Sequence, residues 1–191
     1  MAIVLASQSP RRKELLSLLC SDFKIITADI DETVLQNETA AQTVERLSLL
    51  KAGAVKEKCG KDDVIISADT VVSINDKIIG KPAHRKQAIE YLCALSGKAH
   101  QVYSGVTVLR GDKIITRSVK TDVSFRPLDI KEIEAYADSG ESYDKAGGYG
   151  IQGIAAAFVQ SISGDYFNVV GLPVCELCGM LREMNVKILG I

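Results

Sequence analysis

Acidic, basic and hydroxyl side chains fall in this chain where apolar strand patterns give way to turns and helices. Ser7, Ser9, Arg11 and Arg12 lie in SQSPRR, between an apolar run at 3–6 and a helical pattern. Free backbone N–H groups at a helix start attract anions, and two guanidiniums can chelate the oxygens of a phosphate. The same residues also read as a capped helix with two solvated arginines, because SQSPRR lacks the glycine-rich cradle of a Walker A loop. Asp69 follows the apolar VIISA and precedes Thr70-Val71-Val72. A carboxylate at the edge of a core serves catalysis or metal binding, or caps a turn. Asp29, Asp31 and Glu32 cluster in ADIDET; with Asp69 they offer the oxygen ligands magnesium prefers, or else they form a solvated acidic turn. Lys51, in a helical segment, and Lys81, in Gly80-Lys81-Pro82, each read singly as a solvated cation.

Residues 140–153, GESYDKAGGYGIQG, hold five of the chain's 15 glycines together with Glu141, Asp144, Lys145 and Gln152. Such density points to a binding loop whose main chain approaches a ligand, or to a flexible surface loop. Residues 148–153 match G-x-G-x-x-G letter for letter, yet they precede an apolar run instead of following a strand and opening a helix, so a dinucleotide fold is not expected. Cys175 and Cys178 form a lone C-x-x-C in an amphipathic helix without a second pair or a nearby histidine, and read as core packing. His84 and His100 form no cluster and no G-x-S-x-G is present, which speaks against a Ser-His-Asp triad.

The elements that must position these residues alternate between strand and helix patterns, the signature of an α/β domain. Strands are expected at 3–6, 23–27, 64–68 and 155–162, and hairpins at 71–79 around Asn75-Asp76 and at 101–125 around Arg110-Gly111-Asp112. Helices are expected after Ser9-Pro10, after a Thr39/Gln42 capping box, around 88–95, from Asp129/Glu132 to Gly140, and after Pro173. No repeat, linker or low-complexity segment interrupts them. Composition places the 191 residues among ordinary globular proteins, with 47% hydrophobic and 25% charged. A formal net charge of −1 argues against broad electrostatic capture of nucleic acid or an anionic membrane, so any cationic site is local. The N-terminus has the reverse order of a secretory signal, and no apolar run reaches the roughly 20 residues of a bilayer span. Five scattered cysteines fit a reducing cytoplasm better than a disulfide framework.

In this order, SQSPRR, DIDET, SADTVV, GKP, LSGKAHQVYSGV, TDVSF and GESYDKAGGYGIQG, followed by NVVGLP at 168–173, closely resemble the Maf family of nucleoside triphosphate pyrophosphatases. The resemblance implies one domain over 1–191 with an α/β fold of the Maf/ITPase kind: an elongated mixed sheet flanked by helices, in two lobes with an active-site cleft between them. It implies hydrolysis of a nucleoside triphosphate to the monophosphate plus pyrophosphate, assisted by magnesium or manganese, in nucleotide-pool housecleaning. Carried to this chain, it makes Asp69 the general base, Glu32 its partner in holding the metal, with Asp69 a further metal contact and Asp31 a weaker candidate. Arg11, Arg12, Lys51 and Lys81 would neutralise the phosphates, and Ser7 and Ser9 would fix their position. Asp144 and Lys145 are further cleft residues. Arg12, Thr70 and Gln152 resemble the branch acting on dTTP, UTP and modified pyrimidine nucleotides; the Gln152 amide offers a donor and an acceptor to a thymine or uracil edge. Gly148, where the family usually has Ala or Ser, is expected to loosen the loop, and Cys20 replaces a small residue. The resemblance is compatible with a homodimer and implies no membrane and no stable nucleic-acid complex. The alternative is a regulatory nucleotide- or nucleic-acid-binding protein influencing septum formation and cell division.

Overall fold

The computed structural model describes residues 1–188; the domain expected over 1–191 thus extends three residues beyond the described ones. Seven strands form one mixed sheet in the order β2-β1-β3-β5-β6-β7, with β4 also paired to β3. The strands are β1 (Ile3–Leu5), β2 (Lys24–Ile25), β3 (Val64–Ile74), β4 (Lys77–Ile79), β5 (Ala99–Arg110), β6 (Lys113–Phe125) and β7 (Val159–Ser163). Six helices flank them: α1 (Pro10–Ser17), α2 (Ala40–Val55), α3 (Arg85–Leu95), α4 (Ile130–Asp138), α5 (Tyr166–Val170) and α6 (Val174–Glu183).

The pairing along one edge of β3 changes partner partway. Parallel β1 matches Ile3 to Val64 and Leu5 to Ile66, while antiparallel β4 matches Val72 to Ile79 and Ile74 to Lys77. Between these ladders, residues 67–71 of β3 carry no strand on that edge. Two chain segments peel away there: the turn from β1 into α1, and Gly80-Lys81 after β4. A cleft opens at such a point because diverging chains leave room between their ends.

Above and below this gap the strands enter different cores. On one face, Leu16, Ile66, Val108 and Leu181 pack in one cluster, while Val72, Leu92, Val102 and Tyr136 pack in another. β3, β5 and β6 run through both, so the two lobes share their sheet. The polar Thr70 and Ser104 sit at the seam between the clusters. On the other face α2 lies across β3 and β5, and Gly105 makes this possible, since a Cβ there would overlap the Val44 carbonyl. Gly105 is the residue opposite Asp69 in the ladder, so the helix comes closest where that carboxylate stands.

Several expectations need correction. β3 does not end at residue 68 but continues through Asp69 and Thr70, because both find buried partners in place of solvent. The strand expected at 23–27 is only two residues long. The apolar run expected as a strand at 155–162 begins as a 3-10 turn, Ile154–Phe158, with Ala155 and Phe158 buried three apart; the strand starts at Val159. Gly148 does not loosen its loop: it is buried at φ +71°, a conformation that favours glycine. The capping boxes at Thr39/Gln42 and Asp129/Glu132 both form, and Asn75-Asp76 turns the β3–β4 hairpin with φ of 50° and 60°.

His100 is fully buried on β5, its Nε2 2.8 Å from the Tyr149 hydroxyl and its ring edge-on to Phe125. Burial pushes its pKa down from 6.5 to about 4. The folded and unfolded chains bind protons alike above about pH 6.5; as pH falls from there towards 4 the unfolded chain takes up a proton that the folded one resists. The group should therefore remove about 3 kcal/mol of stability across that window. Urea unfolding at pH 7 and pH 4 should show a smaller loss in His100→Gln than in the native chain, and equal losses would refute the assignment.

Candidate functional site

The turn between β1 and α1 is built by its own hydroxyls. Ser9 caps α1, its side chain accepting from the Arg12 N–H, and Pro10 takes the first helical position, where no N–H is needed. Ser7 Oγ accepts from the Ser9 N–H at 3.2 Å and closes the approach. Arg12 is then held on three sides: Nε donates to the Gly171 carbonyl at 2.9 Å, Nη1 to Ser7 at 3.4 Å and Nη2 to Thr70 at 3.1 Å. Ser104 donates to the Asn168 carbonyl, so its single proton is committed and the 2.8 Å Thr70–Ser104 contact must be donated by Thr70. Thr70 is thereby fixed as an acceptor for Arg12. Burial lowers the Arg12 pKa, an effect opposed by the charges of Asp69 and Glu32. No carboxylate touches the guanidinium, which leaves a positive site suited to an anion.

Asp69 points to the opposite face of β3 from Thr70, towards α2. Lys51 Nζ donates to Asp69 Oδ1 at 2.6 Å and lies 2.6 Å from Glu32 Oε1. The lysine and aspartate side chains are each 10% exposed, so the pair is largely desolvated and loss of either partner would leave a buried charge uncompensated. Lys51 is therefore not the solvated helix lysine that its sequence context implied. Burial pushes the Glu32 carboxyl up, but Lys51, Lys81 and Arg12 outweigh it and hold the group below its ordinary pKa. Asp31 instead binds the backbone N–H and hydroxyl of Thr33, stabilising its own turn. Among the described residues no group of three or more acidic, histidine or cysteine side chains forms a metal cluster.

Across the cleft, the glycine-rich segment supplies the second wall. Arg11 Nη1 reaches Asp144 at 3.3 Å, and Asp144 also pairs with Lys145 at 2.6 Å. Burial raises the Asp144 pKa, while Lys145 and Arg11 bring it below its usual value. Two cavities of about 390 and 740 Å³ meet here. The smaller is walled by Val72, Tyr149, Ile151, Gln152 and Lys145; the larger by Ser7, Glu32, Lys51 and Asp69. Ser9, Arg11, Arg12, Thr70, Lys81 and Asp144 border both. Cations thus stand between a carboxylate end and a mixed end, where Val72, Tyr149 and Ile151 meet Gln152, Glu141 and Lys145, an arrangement suited to a polyanion attached to a flat group with polar edges.

The structure brings the charged, hydroxyl and amide candidates, from Ser7 and Arg12 through Glu32, Lys51, Asp69 and Lys81 to Gln152, to the walls of these two cavities, whereas His84, His100, Cys175 and Cys178 line neither. Ser104 and the Gly171 carbonyl, which fix Thr70 and Arg12, carried no signal of their own. The burial of Lys51 did have one: it falls in the stripe Val44, Leu47, Lys51, Val55, at helical spacing among buried residues.

A family model described as Maf-like protein matches residues 2–184. The chain is 45% identical over 186 residues to a dTTP/UTP pyrophosphatase of Bacillus anthracis, covering 97% of each, and 45% identical over the same length to one from Bacillus cereus (strain AH820). Among solved structures it is similar to the Staphylococcus aureus Ham1 protein, with 18% identity, a TM-score of 0.46 and coverage of 65% of this chain and 71% of that one. A nucleoside-triphosphatase, dITP/XTP pyrophosphatase, from Mycobacterium abscessus gives 14% identity and a TM-score of 0.42, over 67% and 76% of the two chains.

Removing Lys51 strands a buried carboxylate beside a second one. Lys51→Met should destabilise the chain at pH 7 by about 3 kcal/mol. Adding Asp69→Asn to it should recover most of that loss in urea unfolding. A Lys51→Met chain as stable as the native one would show that the ion pair contributes nothing.

Proposed function

The chain belongs to the Maf-like family, and from that premise we propose that it is a nucleoside triphosphate pyrophosphatase that hydrolyses dTTP and UTP to the monophosphate and pyrophosphate. The observation that carries the reading is the cleft itself: a buried Asp69 carboxylate and a cationic junction of Arg11, Arg12 and Lys81 lie in one continuous space.

In the proposed reaction Asp69 accepts a proton from water as the water oxygen bonds to the α-phosphorus. The bond from that phosphorus to the oxygen bridging to the β-phosphate breaks, and pyrophosphate departs with its electron pair. Arg12, prefixed by Ser7, Thr70 and Gly171, needs no reorganisation to meet the developing charge. Arg11 and Lys81 neutralise the outer phosphates, and Ser7 and Ser9 shape the turn beneath them. Lys51 acts on the two carboxylates before it acts on any phosphate, since it is bound to both. Lys145 and Asp144 close the far wall.

Glu32 and Asp69 carry hard oxygen donors of the type magnesium and manganese prefer, and would hold a divalent ion between them once Lys51 yields a carboxylate oxygen to it. Such an ion would supply charge neutralisation for the phosphates. Gln152 reads the base, and Arg12 and Thr70 set the distance between base and phosphates. The near-neutral net charge of −1 suits a free nucleotide better than a nucleic-acid polymer, and five free cysteines suit a reducing cytoplasm. Among the described residues no helix is long and apolar enough to cross a membrane.

Asp69→Asn preserves shape and removes the base, so pyrophosphate release should fall by about 10²–10⁴-fold while nucleotide binding persists. Chelating divalent ions should likewise stop turnover in the native chain, and restoring magnesium should recover it. Undiminished turnover in Asp69→Asn would overturn the assignment of the base. Binding without metal-dependent turnover in the native chain would favour a purely regulatory nucleotide-binding protein.

A further inference from the structure

Gln152 sits on a tight turn whose two ends are tied to a single pair of side chains, Tyr136 in the last turn of α4 and Glu141 just beyond it. The Gly153 N–H donates to the Gly150 carbonyl at 3.1 Å, making 150–153 a β-turn with Gln152 in its second half. At the entrance, the Gly150 N–H donates to the Tyr136 hydroxyl at 3.1 Å. At the exit, the Ile154 N–H donates to Glu141 Oε2 at 3.1 Å. The clamp is closed on itself, because the Tyr136 hydroxyl donates to Glu141 Oε1, also at 3.1 Å. Tyr136 is 2% exposed and packs edge-on against Phe158 in the second core, so the clamp is anchored in packed side chains.

The glycines of the turn take their meaning from this pair. A Cβ on Gly153 would overlap the Glu141 carboxylate, and one on Gly150 would collide with the Lys145 side chain. These two glycines admit protein side chains, not a ligand. The Lys145 ammonium, in turn, donates to the Glu141 carbonyl at 2.7 Å. Neither Tyr136 nor the Glu141 carboxylate is needed for phosphate chemistry, which lies on the other side of the cationic junction.

We propose that Tyr136 and Glu141 are positioning residues for base selectivity: they hold the Gln152 turn at both ends so that its amide meets the base in one placement. The inference rests on the dTTP/UTP reading given above. An amide offers a donor and an acceptor on one flexible stem, and a fixed backbone limits the positions from which it can pair with thymine or uracil or turn over to meet cytosine, whose donor and acceptor are exchanged. A turn released at either end lets the amide follow the wrong base.

The experiment compares kcat and KM for dTTP and CTP, with inorganic triphosphate as a competitive inhibitor that carries no base. In Tyr136→Phe and Glu141→Ala the dTTP over CTP ratio of kcat/KM should fall about tenfold, the worth of one or two lost hydrogen bonds, chiefly through KM for dTTP. The inhibition constant of triphosphate should stay within about twofold, since its contacts are unchanged in this reading. Glu141→Gln keeps an acceptor for the Ile154 N–H and should recover part of the ratio. A native preference for dTTP that survives both substitutions overturns the clamp alone, as does a loss for dTTP matched by an equal loss for triphosphate, the mark of general unfolding of the cleft. A native chain without preference between dTTP and CTP overturns the thymine/uracil reading itself, before any variant is compared.

Discussion

The change of partner along one edge of β3 is the constraint from which the site follows. A strand bonded to one neighbour along its whole length leaves no space beside it. Here β1 stops at the register of Ile66 and β4 begins at that of Val72, so five residues of a central strand face two departing turns. One turn brings Ser7, Ser9, Arg11 and Arg12, and the other brings Lys81. The intervening stretch of β3 contributes Asp69 to one face and Thr70 to the other, because successive side chains alternate. Residues far apart in the chain meet because two strands end beside the same five positions.

Charge within the cleft is sorted by the same geometry. On the α2 face, Gly105 lets the helix close on the sheet, and Lys51 reaches Asp69 and Glu32. On the other face, Thr70 and Ser104 form a polar seam between two apolar clusters and orient Arg12. Asp69 and Arg12 are therefore held by separate hydrogen-bond systems, although Lys81 reaches Glu32 at 3.8 Å across the space between them. That separation keeps Arg12 from collapsing onto Asp69, a contact that would cancel both charges.

Much of this was legible because local chemistry dictated it. Ser9-Pro10, Thr39 with Gln42, Asp129 with Glu132, and Asn75-Asp76 each specify an end or a turn through their own hydrogen bonds or backbone preferences, and each forms. The separated motifs likewise pointed to one cleft. What stayed hidden depended on partners distant in sequence. Asp69 and Thr70 read as the end of a strand because two polar residues interrupt an apolar run; only Lys51, Arg12 and Ser104 make their continuation tolerable. The run at Ala155 to Phe158 read as a strand because apolar residues alone do not distinguish a 3-10 turn from an extended segment. α5 is five residues long, too short for a periodic pattern to register. The glycines of the loop did signal close approach, but what approaches Gly150 and Gly153 is the protein's own Lys145 and Glu141.

The three strands that run through both cores also determine how the protein can move. β5 and β6 pair continuously over 12 positions, from Ala99 with Ser124 to Arg110 with Lys113, and span both lobes without a break. A jaw-like swing of one lobe on the other would have to shear that ladder. The cleft is thus a fixed slot more than a mouth. Accommodation of different guests falls to side chains such as Arg11, Asp144 and Lys145 at its rim, whose mutual contacts can be exchanged for contacts with a visitor. A guest that displaces those contacts leaves the twelve-pair ladder untouched.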